Sequence, residues 1–172
     1  MRQAKRWASG FTMVEVVMAM MVISLMFVAA LNAVGSSRTT LTTMGERARA
    51  MALAEGLMQE ILAQPYADPQ DADAFGPTAT EAATEDRSLF DDVDDYDGWS
   101  ASPPVDRDGV ALSGNDDFER RAAVHWVQAE TLGEAAAETG VKQITVTVSR
   151  GGKRMAELVA LRVDAKPAEV QP

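Results

Sequence analysis

At 172 residues the chain is long enough for one modest domain with an extension and too short for two large domains. A formal net charge of −10 argues against a nucleic-acid partner, whose binding surface would be basic, and apolar residues at 47% exclude a multi-span membrane protein. Cysteine is absent, which removes disulfides, zinc–thiolate centres and thiol nucleophiles, and a lone histidine, His125, rules out a multi-histidine metal site.

The chain opens with a basic decapeptide in which Arg2, Lys5 and Arg6 face no acid. A long apolar stretch follows from Phe11 to Val34, interrupted only by Glu15, Ser24 and Asn32 among small and apolar residues. As a helix it is long enough to span a bilayer, which takes about 20 residues at 1.5 Å each. Basic residues ahead of the span favour a cytoplasmic N-terminus with the remainder outside. An ordinary secretory signal cut after Ala30, behind Val28-Ala29-Ala30, and a plain signal anchor are both compatible with this much. Neither explains Glu15, because a carboxylate at the centre of a span costs roughly 2.5–3.5 kcal/mol and is kept where it has a task.

Gly10-Phe11-Thr12-Met13-Val14-Glu15-Val16-Val17 is similar to the class III signal of the type IV pilin family: a short basic leader ending in Gly, then Phe, with Glu at the fifth position of an apolar helix. The resemblance covers about the first 35 residues. It implies that a prepilin peptidase cuts between Gly10 and Phe11 and methylates the new amine of Phe11. It further implies that Glu15 pairs with the Phe11 amine of a neighbouring subunit during assembly. The leader charges Arg2, Lys5 and Arg6 would stay in the cytoplasm. The shortened chain would sit single-pass in a bacterial inner membrane, head outward, until an inner-membrane assembly platform extracts it into a filament of pilin or pseudopilin subunits. The chemistry suits the spacing: Gly leaves the scissile bond open to close approach, and a buried carboxylate needs the cationic partner that cleavage creates.

After the span, Leu41, Met44, Ala48, Met51, Met58 and Leu62 recur at helical spacing, with Leu53, Leu57 and Ile61 widening the stripe and Glu46, Arg47, Arg49, Gln59 and Glu60 opposite. Pro65 ends the helix near Ala63. Residues 65–117 read as a long surface loop, rich in Asp, Pro and Gly. Between Asp68 and Gly98 it holds eleven acids against one base, Arg87. Phe90, Tyr96 and Trp99 offer anchors. The carboxylates Asp91, Asp92, Asp94, Asp95 and Asp97 are weak calcium candidates, since calcium takes six to eight oxygen ligands. Their spacing misses the EF-hand register, and a solvated acidic loop is the reading preferred.

Residues 118–128 and 141–149 read as strands, the second with Ile144, Val146 and Val148 alternating with Thr145, Thr147 and Ser149. Arg150-Gly151-Gly152-Lys153 forms a hairpin turn and residues 156–164 return as its partner. A three-residue turn would set Val146 opposite Leu158 and Ile144 opposite Ala160, and this register is preferred over that of a two-residue turn. His125 is expected as a partly buried structural histidine, and residues 166–172 as a frayed tail.

The expected fold is α+β: a long N-terminal transmembrane and amphipathic helix packed on a small antiparallel sheet. Its divisions are a leader (1–10), membrane half (11–35), amphipathic half (36–64), acidic loop (65–117), head (118–165) and tail (166–172). No catalytic constellation is evident, so no enzyme is expected. The resemblance implies a minor component of a type IV pilus or type II secretion pseudopilus. The absence of Pro at Asn32 and of a cysteine pair in the head favours a minor subunit. The competing class is a membrane-tethered or secreted binding module, with calcium as its candidate ligand.

Overall fold

A computed structural model describes residues 10, 12–71, 74–84 and 86–164. Helix α1 runs Met13–Leu62, followed by a 3-10 turn η1 at Asp94–Tyr96 and strands β1 (Ser100–Ala101), β2 (Phe118–Trp126), β3 (Val141–Arg150) and β4 (Lys153–Val163). The strands form one antiparallel sheet in the order β1-β2-β3-β4, so the architecture is α+β with a long N-terminal helix. The chain divides into two units, one ending at Met44 and the other beginning at Gly45. The expectations placed on Arg2, Lys5, Arg6, Phe11 and the tail lie outside the described residues.

In the first unit, the apolar part of α1 reaches a mean hydropathy of 2.5 and none of it is buried within the chain. By length and composition this helix qualifies as a membrane span. Its polar interruption at Ser24 is satisfied locally, because the hydroxyl donates to the Met20 carbonyl at 2.8 Å.

In the second unit, α1 contributes Ala50, Leu53, Ala54, Leu57, Met58 and Ile61 to one core with Phe118, Ala122 and Val124 of β2 and Ile144, Val146 and Val148 of β3. Burying each large aliphatic side chain contributes about 1.5–3 kcal/mol. This corrects the expected stripe. Leu53, Leu57 and Ile61 are the heart of the packed face, whereas Leu41, Met44, Ala48 and Met51 are exposed. Ala50 and Ala54 let the helix backbone approach the sheet. The helix ends three residues before Pro65, where the Gln64 N–H turns back to the Ile61 carbonyl.

The β3–β4 register sets Val146 opposite Leu158 and Ile144 opposite Ala160, as expected, but not through a three-residue turn. Arg150 pairs with Lys153, so the loop is the two residues Gly151 and Gly152, with φ of 56° and 75°. Two successive positive φ values are those of a type I′ turn, which glycine alone adopts without strain. A bulge then inserts Met155 between the pairs Ser149–Arg154 and Val148–Ala156, and that extra residue restores the register.

The acidic segment is not a solvated loop. Phe90, Val93 and Tyr96 enter the core, and Arg87, Asp92, Asp94 and Asp95 are buried with them. Phe90 and Tyr96 meet edge to face at 5.0 Å between ring centres. His125 is exposed rather than partly buried, because alternation along β2 turns Phe118, Arg120, Ala122 and Val124 inward and puts His125 on the opposite face.

Candidate functional site

The motif that heads the chain sits at the start of α1. Thr12 caps the helix: its hydroxyl accepts the Glu15 N–H at 3.3 Å and its carbonyl accepts the Val16 N–H at 3.2 Å. Thr12-Met13-Val14-Glu15 thus has the residue types and spacing of a capping box, and the Glu15 carboxylate lies in the first turn, at the positive end of the helix dipole. The capping threonine was the signal that the reading of the sequence passed over. Among the described residues no basic side chain forms an ion pair with Glu15. Gly10 is exposed, and a Cβ added there would meet nothing within 4 Å. Its lack of a side chain therefore answers no packing demand among the described residues.

The five acidic candidates separate. Asp94 leaves the group to pair with Lys142, both side chains almost fully buried, and its Oδ2 accepts the Gly76 N–H at 3.0 Å. Asp97 turns to β2 and accepts the Val124 N–H at 2.9 Å. Asp91, Asp92 and Asp95 stay close, and the structure adds Asp68 and Glu81, which sequence spacing had not singled out. Asp68, Asp91 and Asp92 form one group and Glu81, Asp91 and Asp95 another, with oxygens within 4.8 Å of one another.

Four of the five carboxylates already hold the segment's own backbone with one oxygen each. Asp92 Oδ1 accepts the N–H groups of Asp94 and Asp95, Asp95 Oδ2 those of Asp91 and Asp92, and Asp68 Oδ1 those of Gln70 and Asp71. Glu81 Oε2 accepts both the N–H and the hydroxyl of Thr78. Only Asp91 Oδ1 is buried without a partner. Each group brings three carboxylates, and calcium takes six to eight oxygen ligands, so further oxygens would have to come from elsewhere. Burial, and then the neighbouring Asp94, pushes the Asp92 carboxyl up to about 8, and burial raises Asp91 and Asp95 as well.

A second buried charge ties the segment to α1. Arg87 is fully buried, donates to Glu60 at 2.8 and 3.0 Å, and lies over the Trp99 ring with its guanidinium carbon 4.1 Å from the ring centre. Tyr96 adds its hydroxyl to Glu60 at 3.1 Å. Burial alone would raise the Glu60 carboxyl, but Arg87 outweighs it and holds it below its ordinary range. Glu60, expected on the open face of the helix, is thereby half-buried. Arg120, on the inner face of β2, donates to the Val105 carbonyl and shares the same tryptophan.

No protein-family model matches the chain, and comparison with the curated proteins and with the solved structures returns no match.

Proposed function

We propose that the chain is a prepilin-like subunit, cut after Gly10 and N-methylated at Phe11, that assembles through its N-terminal helix as a minor component of a type IV pilus or type II secretion pseudopilus. The observation that carries this reading is the order Gly10-Phe11-Thr12-Met13-Val14-Glu15 set directly on a helix whose apolar length finds no cover inside the chain. A plain anchor needs the apolar length and nothing else. A processed subunit also needs a bare glycine at the scissile bond and a carboxylate one helical turn on, and the sequence supplies both at those positions.

In this reading the peptidase works on the cytoplasmic side of the inner membrane, the cleaved leader takes Arg2, Lys5 and Arg6 with it, and the head remains outside. In the filament the Phe11 amine of one subunit meets Glu15 of the next, so that two charges buried among apolar helices neutralise each other. The capping bond to Thr12 uses the Glu15 backbone N–H, which leaves its carboxylate for that neighbour.

Assembly is tested with Glu15→Ala in cells that carry the rest of the machinery. The expected result is a processed, membrane-bound subunit that no longer crosslinks to partner subunits, while Glu15→Asp retains part of the crosslinking. Undiminished crosslinking of the Glu15→Ala protein would overturn the assembly role.

A further inference from the structure

Lys142 is the most deeply placed amine in the described structure. It comes from β3, it and Asp94 are 2% and 1% exposed, and its Nζ is in direct contact with Asp94 Oδ1. Nζ also donates to the Tyr66 carbonyl at 2.6 Å, and it lies 4.4 Å from the centre of the Tyr66 ring and 5.8 Å from that of Phe75. The other oxygen of Asp94 is held by the Gly76 N–H, and the Asp94 backbone N–H donates to Asp92 Oδ1 at 2.7 Å. An amine, a carboxyl and a backbone N–H donor therefore converge beside two aromatic rings.

We propose that Lys142 and Asp94 condense to an intramolecular amide bond, so that the acidic segment is covalently clasped to β3. An ammonium and a carboxylate become one amide and one water, and no oxidant or reductant is involved. Nζ passes a proton to Asp94 Oδ1, with which it is in contact, leaving a neutral amine beside a neutral acid. Nζ attacks Cγ and the C–N bond forms. Negative charge gathers on Oδ2, where the Gly76 N–H already points, the arrangement that stabilises such an oxyanion. The C–O bond to Oδ1 breaks, and that oxygen leaves as water with the second proton from nitrogen.

Two physical features favour the step. The groups are held in contact by the fold, which replaces an encounter in solution with an oriented one. The product is neutral, so condensation removes the desolvation penalty that two buried charges carry. The inference stands apart from the assembly reading, since it concerns only residues of the second unit.

The test is the mass of the purified full-length protein and of its tryptic peptides. The expected result is a folded chain lighter by one water, with cleavage blocked at Lys142 and fragment ions joining the peptides that contain Asp94 and Lys142. Lys142→Arg, which keeps the ion pair, should regain the missing water. Asp94→Asn should give the same linked peptides by losing ammonia instead. A folded wild-type protein of full mass, or a water lost at Asp97-Gly98 by ring closure and retained in Lys142→Arg, would overturn the proposal.

Discussion

Between Met13 and Met44 the chain turns its apolar side chains outward, and between Asp68 and Trp99 it takes its charges inside. Leu25 is 69% exposed and Phe27 65%, whereas Arg87 is 0% exposed and Asp94 1%. Both regions invert the common distribution of residues, and for the same reason: burial follows the partner, not the residue type. The acidic segment finds its partners within the chain, in Lys142, Glu60 and its own backbone N–H groups. The apolar part of the helix is covered by none of the described residues, and by length and composition it qualifies as a membrane span.

The comparison can be broken most severely at the buried ion pairs. Arg87→Met leaves Glu60 without its partner and should lower stability by about 3–5 kcal/mol, read by denaturant unfolding. Adding Glu60→Leu should recover most of that loss, because removing both charges is far less costly than orphaning one. A sharper form of the contrast sets two leucines of one helix against each other. Leu57→Ala, in the core, should cost about 2–5 kcal/mol, and Leu25→Ala should leave the unfolding of the second unit unchanged.

Acidity separates the two kinds of buried carboxyl. Asp92 sits at about 8 in the fold against an ordinary 3.8, so it contributes full stability below the lower value and loses it as pH climbs toward the upper one. Glu60, held below its ordinary 4.5 by Arg87, behaves oppositely and loses its contribution only as the medium turns strongly acidic. The melting temperature should therefore fall by several degrees from about pH 5 to about pH 9, and Asp92→Asn should flatten that slope. The smallest effect belongs to the cap. Thr12→Ala should cost the first turn of α1 about 0.5–2 kcal/mol, visible as faster hydrogen exchange at Glu15 and Val16 and nowhere else.

Much of the head was legible because period-two alternation is a strong signal: Ile144, Val146 and Val148 announced β3, and the inward pairing with Leu158 and Ala160 followed. The hairpin was legible only in outcome, since Gly151-Gly152 marks a turn but nothing in Met155 marks a bulge. The phase of the second half of α1 was misjudged because apolar residues occur all round the helix between Leu41 and Leu62, and the small Ala50 and Ala54 that select the packed face carry little hydrophobic weight. His125 was judged by its neighbours in sequence, although in a strand the neighbours that matter are two residues away. The acidic segment misled most. Composition registers charge but not pairing, and its partners Glu60 and Lys142 lie 27 and 48 residues from Arg87 and Asp94. At the N-terminus the signal of Gly10, Phe11 and Glu15 is one of spacing in the sequence, and the helix adds the cap at Thr12.

The most direct test of the central claim is the intact mass and N-terminal sequence of the protein expressed with and without a prepilin peptidase. The account predicts a peptidase-dependent product that begins at methylated Phe11 and disappears when Gly10 is replaced by a bulky residue. A product beginning at Leu31, or an uncut chain beginning at Met1 whatever the peptidase, would contradict it.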